Sequence, residues 1–299
     1  MRVLITGGAG FIGRNLTNHL VEVGYEVVSY DRVYDEEGES HGGQVLHVPG
    51  DVTLQGRTSE QVSQADHVIH LAARPGVRDN KGSGIFEVNT KGTYIVAMAA
   101  AEARCKSMVL ASTAGAIYGG CGVADEDCLP HPTSTYGASK LAAEAFLYPY
   151  IGRSLTTFSA LRLSNVYGPG SDHKNNLIPN ALRAAQGDGK VSVHGDGKKT
   201  RDFIHVYEVC YALRRAMEKR VNGVYNICFG HSYSIKEALE LVQKVTGKEL
   251  SISYGPSVPG EVDYVHLQSR YAERYLGFVP GQNLSTGLLR TWRAMGHGG

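Results

Sequence analysis

The chain begins with a short apolar segment that leads directly into closely spaced glycines. Residues 2–6 have the pattern of a β-strand and residues 11–23 that of a helix; the turn between them contains Gly7, Gly8, Gly10 and Gly13. These glycines match both G-x-x-G-x-x-G and G-x-G-x-x-G. Such a turn needs backbone angles that side chains disfavour, and it lets helix amides approach a phosphate. The pattern predicts a dinucleotide-binding strand–turn–helix; the alternative is a tight turn without a ligand.

A second predicted strand, residues 25–30, ends at Asp31. A carboxylate at this point accepts hydrogen bonds from the adenosine ribose of a dinucleotide and repels a 2′-phosphate. This favours NAD as the cofactor. Arg32 follows directly and is able to pair with a 2′-phosphate, so NADP stays the alternative.

Apolar segments and helical patterns alternate along the first half of the chain. The predicted strands lie at about 2–6, 26–30, 44–48, 67–71, 107–111 and 156–162, and helices at about 11–23, 58–64, 83–104 and 134–148. This alternation predicts an α/β fold with a doubly wound parallel Rossmann sheet. After Val166 the pattern changes to loops, short strands at about 191–194, 224–228 and 251–254, and helices near 177–187, 205–218, 234–246 and 283–295. This mixture indicates a smaller α/β substrate-binding lobe at the C-terminus. We expect a NAD-binding domain of residues 1–165 plus about 201–228, and a lobe of residues 166–200 and 229–299.

Composition argues against several classes of partner. The formal net charge is +1, with 30 basic and 29 acidic residues, so neither nucleic acid nor an anionic membrane is an expected partner. No apolar run approaches the roughly 20 residues of a membrane span, and we expect a cytoplasmic protein. The five cysteines lack C-x-x-C spacing and are interpreted as free thiols. His67 and His70 lie in an apolar strand whose alternation points them to opposite faces, so we expect no metal site.

Tyr136 and Lys140 stand four residues apart in a segment with helical apolar spacing. One helical turn therefore brings the ammonium near the phenol. A tyrosine with a pKa of about 10 is a poor base at neutral pH, but a nearby lysine and a cationic nicotinamide both favour the phenolate. We predict that the pair relays a proton, although Y-x-x-x-K alone is more often a solvated helix face.

The strand Ser107–Thr113 ends in two hydroxyl residues, Ser112 and Thr113. Hydroxyls at this edge of the sheet are able to hydrogen-bond a reacting oxygen, or they only satisfy backbone groups at the strand end. We predict that Thr113 is catalytic.

Ordered motifs along almost the whole chain support a family resemblance. They are TGGAGFIG (6–13), GDV (50–52), HLAA (70–73), Asn89, STAGAIYG (112–119), YGASK (136–140), LRLSNVYGPG (161–170), NNLIP (175–179), RDFIHV (201–206) and PGE (259–261). With these motifs the chain resembles the extended short-chain dehydrogenase/reductase family. The most similar members are its NAD-dependent sugar-nucleotide epimerases and dehydratases, and among them the 4-epimerases of UDP-glucose and UDP-galactose.

The resemblance implies a role for each matching residue. The expected NAD-binding residues are Gly7, Gly10, Phe11, Ile12, Gly13, Asp31, Arg32, Asp51, Val52, Leu71, Ala72, Ala73, Asn89, Tyr136 and Lys140. The expected nucleotide-sugar-binding residues are Asn165, Asn176, Leu177, His194, Arg201 and Glu261. His194 stands where relatives stack an aromatic ring on the base, and a plain surface histidine is the alternative there.

The resemblance also narrows the reaction. Dehydratases of this family carry an Asp-Glu pair after the strand-end threonine, whereas this chain has Ala114-Gly115-Ala116. We therefore expect a 4-epimerase of a nucleoside-diphosphate sugar, with hexose, N-acetylated and uronate forms left open. Counting back from Tyr118 places Ala114 in the catalytic position, whereas counting along the strand places Thr113 there. A 4-keto-sugar reductase and a non-catalytic dinucleotide sensor are the alternatives.

Relatives usually form homodimers through the helices near 83–104 and 134–148. Ile85, Val88, Ile95 and Met98 permit such a helix bundle here, but they fit a protein core equally well. A homodimer is the expected assembly.

Overall fold

Strands and helices alternate along the chain where the apolar periodicity predicts them. The computed structural model describes residues 1–33, 43–75, 84–120, 122–257 and 264–296. The strands are β1 (Arg2–Thr6), β2 (Glu26–Asp31), β3 (Val45–Pro49), β4 (His67–His70), β5 (Ser107–Thr113), β6 (Gly122–Ala124), β7 (Thr157–Leu163), β8 (Asn165–Tyr167), β9 (Lys190–His194), β10 (Thr200–His205), β11 (Gly223–Ile227), β12 (Ser232–Ser234), β13 (Ser251–Gly255) and β14 (Val265–Leu267). The helices are α1 (Phe11–Glu22), α2 (Gln55–Ser63), α3 (Thr93–Glu102), α4 (Gly115–Tyr118), α5 (Thr135–Ala145), α6 (Leu177–Gln186), α7 (Val206–Lys219), α8 (Ile235–Thr246) and α9 (Leu284–Ala294), and a π-helical segment, Phe86–Gly92, precedes α3.

Seven strands form one parallel sheet in the order β3-β2-β1-β4-β5-β7-β11. The chain adds β2 and β3 on one side of β1 and then crosses to add β4 on the other. Doubly wound sheets bind ligands in the crevice that this reversal leaves beyond the carboxyl ends of the strands. The predicted doubly wound parallel sheet is confirmed.

Both faces of the sheet are buried, which explains the continuous apolar runs in its strands. Val3 and Ile5 point to the face covered by α1 and α7, and Leu4 points to the face covered by α2, α3 and α5. All three side chains are fully buried. Successive side chains of a strand alternate between the faces, so each strand contributes to two cores at once.

Outside the main sheet the chain forms a three-stranded sheet in the order β12-β10-β8, a parallel pair of β9 with β13 and a parallel pair of β14 with β6. Helices of the second half of the chain form a smaller lobe. Its core lies between α6, α8 and α9, where Leu182, Leu239 and Trp292 are buried. Within the ranges given above, no helix has both the length and the apolarity to cross a bilayer.

His67 and His70 point to opposite faces of β4, as alternation predicts. His67 Nδ1 lies 2.8 Å from Ser107 Oγ, which in turn donates to the carbonyl of Met217 in α7. His70 Nε2 lies 3.0 Å from Thr93 Oγ1 of α3, on the other face. The described part of the chain contains no group of three or more His, Cys, Asp or Glu side chains able to hold a metal ion.

We predict that His70 makes the fold less stable in acid. Burial lowers the pKa of His70 from 6.5 to about 3. Below pH 6.5 the His70 imidazole is therefore protonated in the unfolded chain, whereas in the folded chain it stays neutral down to about pH 3. The free energy of unfolding should fall as the pH drops through this window, by roughly 1 kcal/mol per pH unit for one proton. Urea melts between pH 7 and 4 should show a flatter slope for His70→Gln.

The matched control for this experiment is His194→Gln, because His194 is exposed at the end of β9. This variant should keep the wild-type pH slope. Equal slopes for wild type and His70→Gln would contradict the prediction.

Candidate active site

The glycine turn between β1 and α1 is too tight for side chains. Gly7 has φ +75°, and a Cβ there would lie 2.7 Å from the amide nitrogen of Ala72. A Cβ on Gly13 would lie 2.4 Å from the carbonyl oxygen of Gly7. Gly10 precedes α1 and has no side chain to cap the first helix amides. The turn therefore has a backbone-lined cradle, which fits a dinucleotide pyrophosphate.

The loop after β4 packs directly against this turn. The amide of Leu71 donates to the carbonyl of Thr6 at 2.9 Å, and the amide of Ala72 donates to Thr6 Oγ1 at 3.3 Å. Leu71, Ala72 and Ala73 are half-buried at the carboxyl end of the sheet. The structure thus brings the predicted residues 71–73 together with the glycine turn.

Asp31 points back to the same turn from the end of β2. Its Oδ2 accepts from the amide of Ala9 at 3.1 Å, and its Oδ1 accepts from the amide of Val33 at 3.1 Å. The carboxylate is therefore held beside the glycines, where an adenosine ribose would bind. The residues present in the turn and at this strand end fit NAD.

The other residues predicted for the adenosine side form a second group. Arg32 Nη1 lies 4.0 Å from Asp51 Oδ2, and Asp51 Oδ1 accepts from the amide and hydroxyl of Thr53. Val52 is buried in the core below. Phe11 is buried in the core on the opposite face of the sheet, and Ile12 packs against that core. Phe11 and Ile12 thus anchor the start of α1, directly after Gly10.

Tyr136 and Lys140 lie in the first two turns of α5. The helix begins after Ser134, whose hydroxyl accepts from the amide of Gly137 at 3.1 Å. Lys140 is buried with 2% exposure, and Tyr136 is half-buried. Burial raises the pKa of Tyr136 to about 12 and lowers the pKa of Lys140 to about 8. The phenol alone is therefore a weaker acid than free tyrosine, and nearby positive charge is needed to form the phenolate.

Asn89 joins α5 to the loop after β4. Its Oδ1 accepts from the amide of Arg74 at 2.7 Å, and its Nδ2 donates to the carbonyl of Arg74 and to Ser139 Oγ. The side chain has no exposed surface. Asn89 thus connects the loop after β4, which contains residues 71–73, to helix α5, which contains Lys140.

The end of β5 offers three neighbouring side chains, and they differ in accessibility. Ser112 is buried and its hydroxyl donates to Glu144 Oε1 at 2.5 Å. Ala114 has no exposed surface and packs in a small apolar cluster with Tyr118. Thr113 is half-buried. Of the two ways of counting along this segment, the packing favours Thr113 as the accessible side chain.

A buried charged network lies beneath these residues, and the sequence analysis did not single it out. Arg162 Nη2 lies 2.7 Å from Glu144 Oε2, with Arg162 4% and Glu144 1% exposed at the side chain. Arg162 Nη1 donates to Tyr118 OH at 2.8 Å, and that hydroxyl donates to Asn226 Oδ1 at 2.9 Å. The available signals were a charged residue within the apolar strand LRL and a glutamate one turn after Lys140.

Four of the residues predicted to bind the nucleotide sugar lie in β8, in β10 and at the start of α6. Asn165 of β8 is exposed, and its Nδ2 donates to the carbonyl of Asp202 at 2.9 Å. Arg201 lies on the neighbouring strand β10 and donates to the carbonyl of Thr200. Asn176 and Leu177 begin α6.

His194, another residue predicted to bind the nucleotide sugar, is not brought into this group. His194 ends β9, in a separate sheet with β13, and is exposed. Glu261 lies outside the described residues.

We predict that Gly13→Ala weakens NAD binding at least about tenfold, since even small displacements of the turn remove close backbone contacts. The new methyl group would lie 2.4–2.5 Å from the carbonyl oxygens of Gly7 and Gly8. Isothermal titration calorimetry with NAD measures the effect. Gly56→Ala is the control because a Cβ at this α2 position meets nothing within 4 Å. NAD affinity of wild-type strength in Gly13→Ala would refute this reading of the turn.

Comparison with known proteins agrees with this geometry. Residues 3–228 match the NAD dependent epimerase/dehydratase family. A UDP-glucose 4-epimerase of Lactobacillus helveticus is 30% identical over 319 residues, covering 98% of this chain and 96% of the relative. A UDP-N-acetyl-alpha-D-glucosaminuronate decarboxylase of Bacillus cytotoxicus is 33% identical over 281 residues, covering 89% of this chain and 85% of the relative.

A solved structure shows the same fold over almost the entire length. MoeE5 in complex with UDP-glucose and NAD matches with a TM-score of 0.90 and 32% identity, covering 99% of this chain and 98% of that one. The glycine turn, the parallel sheet and the family match lead to one conclusion. The chain belongs to the NAD-dependent epimerase/dehydratase family of sugar-nucleotide enzymes.

Proposed function

We propose that this protein is a 4-epimerase of a nucleoside-diphosphate sugar, of the UDP-glucose and UDP-galactose type. One observation carries the proposal: Lys140 is buried one helical turn from Tyr136, and the short helix α4 after Thr113 supplies no acid. Elimination of water needs an added acid and base, whereas epimerisation at one carbon needs hydride transfer and one proton relay.

The residues of the chain have separate tasks in this reaction. Bound NAD supplies the acceptor and later the donor of the hydride. Tyr136 takes the proton of the sugar hydroxyl and returns it, while the ammonium of Lys140 favours the phenolate. Thr113 donates a hydrogen bond to the same oxygen. Because burial raises the pKa of Tyr136 to about 12, the phenolate depends on this cationic neighbour.

The cofactor would be held by the residues that surround the glycine turn. The amides of residues 10–13 and the segment of residues 71–73 would line the pyrophosphate, and Asp31 would bind the adenosine ribose. Asn89, Lys140 and Tyr136 would meet the nicotinamide ribose. Arg32 lies 4.0 Å from the Asp51 carboxylate, which supports NAD over a 2′-phosphorylated cofactor.

The nucleotide sugar would bind between this site and the lobe. We assign the diphosphate and nucleoside to Asn165, Asn176, Leu177 and Arg201. His194 would stack on the base, and Glu261 is a further substrate-binding residue. Support comes from the adjacency of β8 and β10, and from MoeE5, whose structure holds UDP-glucose and NAD. The division into residues 1–165 plus about 201–228 and residues 166–200 plus 229–299 belongs to the same proposal.

We predict that the purified protein interconverts UDP-glucose and UDP-galactose without added coenzyme, read by chromatography. Tyr136→Phe should lower kcat by roughly a hundredfold or more, as expected for loss of a proton relay. Tyr148→Phe is the matched control, because Tyr148 is 56% exposed beyond the end of α5. Parallel assays with N-acetylated and uronate UDP-sugars define the preferred substrate.

Two outcomes would overturn the proposal. Wild-type turnover in Tyr136→Phe would remove the proton relay. Turnover that requires one added NADH or NADPH for each sugar converted would indicate a 4-keto-sugar reductase instead.

We also propose that the protein is a homodimer that buries aromatic residues near α3 and α5. Phe86, Tyr94 and Phe146 are 64%, 40% and 38% exposed, and the rings of Tyr94 and Phe146 lie 5.3 Å apart. Ile85 and Ile95, two of the residues considered for this interface, are instead core residues with 2% and 3% exposure.

Sedimentation velocity should therefore show a dimer for wild type. Tyr94→Glu should weaken the dimer at least about tenfold, since it places a charge in an apolar contact. Tyr254→Glu, at a 49% exposed position on β13, should leave the dimer unchanged. A monomeric wild-type protein would contradict the proposal.

A further inference from the structure

Glu144 is a buried carboxylate without a role in the proposed reaction. It stands one helical turn after Lys140 on α5 and is 2% exposed. Arg162 Nε donates to its two carboxylate oxygens at 3.1 and 3.2 Å, and Ser112 Oγ donates to Oε1 at 2.5 Å. The carboxylate therefore has donors from both β5 and β7, the strands beneath α5.

Fold stability does not by itself explain this buried pair. Removing two charges from water costs several kcal/mol, and a buried ion pair is often no more stabilising than apolar residues of similar volume. The pair is nevertheless held in one orientation, because Arg162 also donates to Tyr118 OH and lies 4.9 Å from the centre of that ring. Because burial of this carboxylate is unfavourable, we expect its negative charge to act on a neighbouring group.

Lys140 is that neighbouring group. Burial lowers its pKa to about 8, and the negative charge of Glu144 acts against this lowering. Other titratable groups around it differ in charge: His70 on β4 is neutral above a pKa of about 3, Tyr118 on α4 has a pKa of about 12, and Tyr136 is the proposed partner. Arg162 on β7 is a cation already paired with Glu144.

We propose that Glu144 is a positioning residue that keeps the buried ammonium of Lys140 charged from one helical turn away, with Arg162 and Ser112 holding the carboxylate in place. This inference rests on the proposed function, which gives the Tyr136–Lys140 pair its role as a proton relay. The placement of Glu144 relative to Lys140 stands independently of the substrate.

Loss of the Glu144 charge should lower the pKa of Lys140. This loss removes the opposite charge that acts against the desolvation of Lys140, so the ammonium should lose its proton at a lower pH than in the wild type. A neutral lysine no longer favours the phenolate of Tyr136. The alkaline limb of the pH profile of kcat should therefore move down by about one pH unit, the usual scale for loss of a nearby opposite charge, while KM changes little.

The test uses the NAD-loaded protein and two variants. Glu144→Gln removes the charge and keeps the shape. Glu144→Gln with Arg162→Met removes both charges, which avoids an unpaired buried cation and protects folding. The control is Glu218→Gln, which removes a carboxylate paired with Arg214 on α7, across the sheet from α5.

Two readouts are measured for each protein. The first is the pH dependence of kcat and KM. The second is titration of Lys140 by NMR of 13C-labelled lysine, assigned through the signal lost in Lys140→Met, and it does not depend on turnover. We expect both midpoints to move down by about one unit in the two Glu144 variants, and neither to move in Glu218→Gln.

The results separate this inference from the proposed function. A Lys140 titration that is unchanged in the folded double variant would overturn the role of Glu144, whatever the activity. A shifted titration together with full activity of Tyr136→Phe would leave the Glu144–Lys140 link intact and refute the proton relay instead.

Discussion

Close backbone packing at the glycine turn is the constraint on which the rest of the structure depends. Gly7 lies against the backbone of Ala72, and Gly13 lies against the carbonyls of Gly7 and Gly8. These approaches set how α1 leaves β1 and how the loop after β4 meets the turn. Because β1 lies inside the sheet and pairs with both β2 and β4, a change in this turn would be transmitted to strands on both sides of β1. The cofactor cradle and the sheet therefore share one set of contacts.

The buried network around Glu144 and Arg162 connects the site to the lobe. Tyr118 receives a hydrogen bond from Arg162 and donates to Asn226 on β11. Asn226 Nδ2 then donates to the carbonyl of Gln268, directly after β14. The hydrogen bonds thus run from α5 through three elements of the main domain to a strand pair outside the main sheet. Orientation of α5 and placement of this strand pair are consequently set by the same buried polar groups.

Sequence periodicity predicted the long elements well because each carries a repeated apolar pattern. The strands of the main sheet and the helices α1, α5, α6, α7, α8 and α9 lie within a few residues of their predicted positions. The strands β6, β8, β10, β12 and β14 were not predicted. Each pairs with a segment distant in the chain, and a run of three to six residues contains too little periodicity to reveal that partner.

The sequence alone determined the family, the doubly wound sheet, the preference for NAD and the residues nominated for the site, because glycine spacing, strand alternation and ordered motifs are local properties. The tertiary structure decided which of these side chains are accessible and which make contacts within the protein. Ser112 hydrogen-bonds Glu144, and Asn89 hydrogen-bonds the loop after β4 and helix α5. Ala114, Ile85 and Ile95 are buried. Hydrogen-bond partners, burial and the pKa values of Tyr136 and Lys140 depend on residues far apart in the chain, and only folding brings those residues together.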